Sequence, residues 1–289
     1  MKALDEDRSS ANSALRMLLI ATGALSLALA LAFFLQTPIA TALWPFPASR
    51  LSNIFLASIL AATAVPVMWL GVSGDFAAAR GGAANLALTN TGIAMFAAQL
   101  WAREPQHTGA LVYGIASAVL IVLFVVILAW SRRIRFQDTR RTAPLVRVSF
   151  AVFAIGLLYF GGNLVLSKAE MFPWPLSAEQ SMIYGWIFLG SAVYFAYGVW
   201  RPVWSNAKGQ LLGFLAYDLV LIVPFIQHFK TVRPDLWVNL VIYVAVIAYS
   251  GGLALYYLFV KRETRLRRRR VERRVERSNG ERANAREGV

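Results

Sequence analysis

Apolar residues gather in eight long runs along this chain, separated by short polar or basic segments. Their approximate limits are 14–36, 51–72, 84–101, 109–130, 145–167, 181–200, 210–229 and 237–260. Leu, Ala, Val and Phe dominate them without sustained period-two alternation, so a β-barrel, whose strands alternate lipid-facing and lumen-facing residues, fits poorly. A helix crosses the hydrocarbon core with roughly 20 mainly apolar residues, because every backbone N–H and C=O must then be satisfied internally. The pattern predicts an all-α integral membrane protein with eight transmembrane helices.

The chain also resembles itself at an offset of 128 residues. Trp44-Pro45-Phe46-Pro47 returns as Phe172-Pro173-Trp174-Pro175, Ser49 as Ser177, Arg80-Gly81 as Lys208-Gly209, Asn90 as Asp218 and Gln99 as Gln227. The fourth and eighth runs need an offset of 130, which pairs Tyr113 with Tyr243 and implies a two-residue insertion near 231–236. Four crossings return a chain to its starting side, so the two four-helix repeats are expected to be parallel. The expected plan is an N-terminal segment 1–13, a first repeat 14–130, a basic loop 131–144, a second repeat 145–260 and a basic tail 261–289. Ala40-Thr41-Ala42 looks like a signal-peptidase site, but the apolar run before it is long for a signal peptide and matches the run 145–167 of the other half.

Composition agrees with a membrane protein: 58% of the 289 residues are hydrophobic and 15% charged, with a mean hydropathy of +0.54. No cysteine is present, which excludes disulfides, thiolate nucleophiles and cysteine metal sites. The two histidines, His107 and His228, lack a second histidine at helical spacing, so neither a bis-histidine haem nor a zinc pair is expected. We expect no cofactor and no metal.

Basic residues collect in cytoplasmic loops. Placing both termini inside assigns 24 of the 29 lysines and arginines to the cytoplasm and leaves Arg50, Arg103, Lys168, Lys230 and Arg233 outside. Without the tail the ratio is still twelve to five. The expected location is the cell (inner) membrane. The tail, with Arg267-Arg268-Arg269-Arg270 and with Glu272 and Glu276 at helical spacing, is expected to continue the last helix and then become disordered. Its partners would be membrane lipids, with anionic lipid or an acidic protein for the tetra-arginine cluster. Positive-inside charge alone also explains the tail. Nucleic acid is not expected, since no aromatic platform or recognition fold accompanies the charge.

One residue carries most of the chemical interest. Asp218 falls near the middle of the seventh run, where an aspartate costs roughly 2.5–3.5 kcal/mol on insertion scales and should face the bundle interior with a partner. Its repeat equivalent is the neutral Asn90, so a pairing of the third and seventh helices would bring the two together. Tyr217, Gln99, Gln227 and Asn163 complete the candidate binding set. Each has a structural explanation as well: interhelical polar contact for Asp218 and Asn90, interfacial solvation for the glutamines, membrane-belt placement for Tyr217, and close packing beside Gly161-Gly162 for Asn163. Pro66 and Pro224 can kink their helices. The sixth run is rich in aromatics, from Tyr184 to Trp200, and could wall a pocket for an isoprenoid, pigment or other lipophile.

Phosphate loops, H-E-x-x-H, G-x-S-x-G and paired acidic magnesium motifs are all absent from the sequence. The expected function is a small permease or lipophile carrier with a site between the repeats. A membrane enzyme using Asp218 as general acid, or an assembly subunit acting through its tail, are the alternatives. An enzyme would place a second titratable group beside Asp218.

Overall fold

The computed structural model describes residues 2–46, 48–168 and 171–266, with side chains from Asn12 onward. In chain order the helices are α1 (Lys2–Phe34), α2 (Pro38–Leu43), α3 (Arg50–Ser73), α4 (Ala79–Arg103), α5 (Thr108–Ser131), α6 (Pro144–Val165), α7 (Ala178–Trp200), α8 (Trp204–His228) and α9 (Trp237–Leu255). Among the described residues there is no strand, only an isolated bridge between Arg141 and Val203. The protein is all-helical.

Among the described residues seven segments are long and apolar enough to cross a membrane: α1 from Asn12, α3, α5, α6, α7, α8, and α9 with its flanking turns. The third run of the sequence, now α4, is 25 residues long but carries Arg80, Asn85, Thr89, Asn90, Thr91 and Gln99. It lies between α5 and α7, with Thr89 and Asn90 buried. Protein thus covers part of its polar surface. The flanking α5 buries only Ala110, Ser117 and Ser131.

Local chemistry sets the helix ends. Ser49 starts α3 by accepting from the Ser52 amide, and Ser177 with Gln180 forms a reciprocal capping box on α7. Gly74, at φ 70°, ends α3 in the left-handed conformation that glycine adopts without cost. Helix α8 begins six residues before the expected run because the central loop satisfies its first turn. The Trp204 and Ser205 amides donate to the carbonyls of Arg140 (2.7 Å) and Asp138 (3.2 Å).

At the other terminus α9 passes into a π-helical turn, Tyr256–Val260. The chain then leaves the helix rather than prolonging it. Thr264 Oγ1 donates to the Tyr257 carbonyl at 2.7 Å, and Trp204 Nε1 donates to the Thr264 carbonyl at 3.2 Å. These bonds fold residues 261–266 back over the bundle end, where a straight helix would have run into water. The Arg267–Arg270 cluster lies outside the described residues.

Packing interleaves the two halves of the sequence. Within them, α1 packs on α3, α4 on α5, α6 on α7 and α8 on α9; across them, α4 packs on α7 and α3 on α8. Helices α3, α4, α7 and α8 therefore form the centre, with α1, α5, α6 and α9 outside. At one end Arg16 donates to the carbonyls of Gly71 (2.9 Å) and Val72 (2.6 Å), and Arg147 to that of Val199 (3.2 Å).

Candidate functional site

A cavity of about 440 Å³ lies among the central helices, within the usual range for small-molecule sites. Ala62, Pro66 and Trp69 of α3 face it, as do Ala79, Asn85 and Thr89 of α4, Phe188, Tyr194 and Phe195 of α7, and Gly213, Phe214 and Tyr217 of α8. Outer helices contribute Phe153 and Gly156 of α6 and Tyr243 and Ser250 of α9. Among the described residues no charged side chain lines it. Pro66 withholds the amide that would bond the Ala62 carbonyl. Gly213 lets α8 approach there, since a β-carbon on it would sit 3.1 Å from that carbonyl oxygen.

The polar groups in the wall are neutral and largely free. Within the described residues no hydrogen bond engages the hydroxyls of Tyr194, Tyr217 or Tyr243. Asn85 accepts from Thr89 through its carbonyl oxygen at 3.2 Å, leaving its amide nitrogen unengaged. Tyr194 stands over Gly81 and Gly209, eight residues before Tyr217, so the polar groups are spread over about 12 Å at 1.5 Å per residue of helix. Phe195 and Phe214 stack face to face at 4.6 Å and 14°, and Phe153 packs tilted against Phe214 at 4.7 Å and 57°.

Aromatic rings and a buried polar network close the cavity at the end where α3 and α7 begin. Phe172 stacks on Phe188 (5.8 Å) and packs against Tyr243 (5.5 Å) and edge-on to Phe55 (5.1 Å). Behind them the Ser52 hydroxyl donates to Gln180 Oε1 at 3.3 Å and accepts from Trp174 Nε1 at 3.1 Å, while Tyr184 donates to the Ser52 carbonyl at 3.2 Å. The second Pro-x-Pro segment supplies this floor: Phe172 and Trp174 are buried, with Phe172 against Phe188 and Tyr243 of the cavity wall.

Asp218 is 4% exposed and lies behind the cavity wall, against α9. Ser250 donates to its Oδ2 at 2.9 Å, Oδ1 has no partner among the described residues, and Gly251 gives the carboxyl room. Ser250 and Tyr217 both face the cavity, so the carboxyl touches the site through its neighbours. Asn90 does not meet it. The Asn90 amide donates to the Leu86 carbonyl of its own helix at 2.7 Å, and the principal contacts of α4 and α8 run to α7 and α3 instead of to one another. Asn163 likewise donates to Tyr159 of its own helix (2.8 Å), and Gln99 and Gln227 are exposed. Of the six candidates, Tyr217 lines the cavity and Asp218 adjoins it.

The end opposite the floor is held by carboxylates that sequence reasoning passed over. Asp138 is 3% exposed, within 2.7 Å of Lys208 Nζ and 2.7 Å of Arg140. Burial alone would raise its pKa; hydrogen bonds from Arg140 and Lys208, with their charges, outweigh that and hold it well below the usual carboxylate range. Asp75, also buried, accepts from the Ser205 hydroxyl and from the Gln137 amide at 3.2 Å. Arg80 donates to the Ser131 carbonyl at 3.1 Å and stacks over Phe136 at 4.4 Å. The loop expected to be merely basic is a clasp joining α4 and α8. Its acids were inconspicuous because each stands alone among arginines or glycines in the sequence.

Among the described residues no group of three or more His, Asp or Glu could hold a metal ion. No protein-family model, curated protein or solved structure matches the chain.

Proposed function

We propose that the protein is a membrane carrier for a lipophilic molecule, with eight spanning helices in two parallel four-helix repeats and its binding site between them. The cavity carries this reading: it is uncharged, about 440 Å³, and walled by central helices of both halves. Such a space suits an apolar guest and gives an ion nothing to bind. Asp218 is assigned the coupling role, because a buried carboxyl with one side-chain partner is costly in a spanning helix and such residues mark pathways.

The repeat has support in the packing. Exchanging α1 with α6, α3 with α7, α4 with α8 and α5 with α9 turns each principal helix contact into another. Arg16 and Arg147 hold equivalent carbonyls, Gly71 and Val199. Gln36 (φ 53°) and Ser167 (φ 62°) both turn the chain after a first helix in the left-handed conformation. These arginine and turn pairs lie at an offset of 131, against 128 for the second and third helices. On this plan α4 is the eighth span.

Both termini are proposed to be cytoplasmic, with the clasp end facing the cytoplasm of the cell membrane and the tetra-arginine tail on anionic lipid. A reporter fused at 104–107 should read as external; a cytoplasmic signal there would reverse the orientation. Enzyme chemistry is less favoured, since the side-chain partner of Asp218 is a serine and no second acid or base is bonded to it. An assembly role predicts that deleting 267–289 destroys function while cavity variants are silent.

Blocking the cavity tests the carrier. Gly82 and Gly156 line it, and a β-carbon on either meets nothing within 4 Å. Gly82→Phe and Gly156→Phe should therefore fold and should lose the lipophile that copurifies with wild type, measured by mass spectrometry of extracted protein. If both keep it, the guest binds elsewhere.

A further inference from the structure

We infer that the occupant of the cavity is an uncharged lipophile whose flat head carries carbonyl oxygens, the chemistry of a lipid-soluble quinone. The inference rests on the carrier reading and narrows its ligand.

Three observations point the same way. First, the wall holds neither cation nor anion, so a phospholipid headgroup would surrender its hydration without a counter-charge. Second, the free polar atoms are mostly donors, Gln210 Oε1 being an acceptor left without a partner among the described residues. The Asn85 carbonyl is taken by Thr89, leaving N–H groups, and the hydroxyls of Tyr194, Tyr217 and Tyr243 have no acceptor among the described residues. A guest that brings acceptors completes these bonds, whereas a plain hydrocarbon leaves every donor unmet. Third, the stacked pair Phe195 and Phe214 lines the cavity together with Phe153 and Phe188, so a guest's ring finds aromatic partners. The apolar tail is assigned to the side where Leu19 of α1 and Val152 of α6 line the cavity, Val152 being 62% exposed.

The test uses full-length protein in nanodiscs of uncharged lipid, with quenching of tryptophan emission as readout; Trp69 lines the cavity. Decylubiquinone should quench saturably, and the headless hydrocarbon squalene should compete at least tenfold more weakly. Asn85→Leu and Tyr217→Phe should each weaken decylubiquinone about five- to tenfold, one lost hydrogen bond apiece. Tyr217→Phe keeps the ring and so the packing, and size-exclusion profiles report the fold of both variants. Equal competition by squalene, with both variants binding as wild type, would overturn the head-group assignment while leaving an apolar carrier site in place. If decylubiquinone and squalene both fail to bind, the head-group assignment falls; if the copurified lipophile also survives in Gly82→Phe and Gly156→Phe, the carrier site falls with it.

Discussion

Ser52 and Gln180 stand 128 positions apart in the chain and meet directly, hydroxyl to side-chain carbonyl, at 3.3 Å. On the repeat proposed above they occupy equivalent places, one in α3 and one in α7. Both are buried, and the contact ties the cavity floor to the start of two central helices.

Gln180→Leu removes this bond and the one that Gln180 Oε1 accepts from the Ser177 amide. We expect a loss of about 1–3 kcal/mol, read as a lower midpoint of thermal unfolding in detergent. Combining it with Ser52→Ala should cost less than the sum of the singles, since both break one interaction. Strict additivity would show the contact to be energetically idle.

At the clasp, Asp138→Asn removes the carboxylate against which the buried Lys208 ammonium sits. Breaking a buried ion pair this way costs roughly 3 kcal/mol. The sign of its pH dependence follows from the lowered pKa. The stabilisation is complete above the ordinary carboxylate value of about pH 4 and is lost as pH falls through the lower folded value. Unfolding midpoints of wild type and variant should therefore differ by a constant amount from about pH 5 to 8 and converge only in stronger acid. A gap that closes between neutral pH and about pH 5 would assign the effect to another group.

The seam between α4 and α7 depends on Gly92, where a β-carbon would run into the Trp186 ring. Gly92→Val should cost about 1–3 kcal/mol or more through overpacking. Adding Trp186→Leu should restore much of it. Equal instability of single and double variants would mean that the ring is not the obstacle.

For Asp218, volume and hydrogen bonding separate fold from function. Asp218→Asn keeps the size and an oxygen for Ser250, so the protein should extract and unfold as wild type does. If the carboxyl couples transport, efflux of the copurified lipophile from proteoliposomes should fall at least tenfold. Asp218→Leu leaves Ser250 without this acceptor and should lower stability as well, by about 1–3 kcal/mol. Wild-type efflux in Asp218→Asn would reduce the residue to a packing contact.

Much of the fold was legible because lipid imposes a simple rule: apolar runs of about 20 residues become helices. The limits failed where protein replaces lipid as the covering. Helix α4 keeps Asn85, Thr89 and Asn90 because α5 and α7 flank it, and α8 starts early because a loop distant in sequence caps it. At the site, the aromatic enrichment of the sixth run was visible, and Phe188, Tyr194 and Phe195 do form cavity wall. Asn85 and Tyr243 could not be told from other polar positions in apolar helices, since nothing along the chain says which way a helix face turns.

By itself, then, the sequence determined an all-helical protein with runs long and apolar enough to span a membrane, since this depends on local apolar content and composition. Tertiary structure decided who meets whom. Asn90 stayed on its own helix, Asp218 turned to Ser250, and two isolated acids became a clasp, because such pairings depend on helix rotation and on which non-adjacent helices touch. Crossing contacts between the halves left a space among the central helices, where tyrosines and phenylalanines scattered along the chain share one wall.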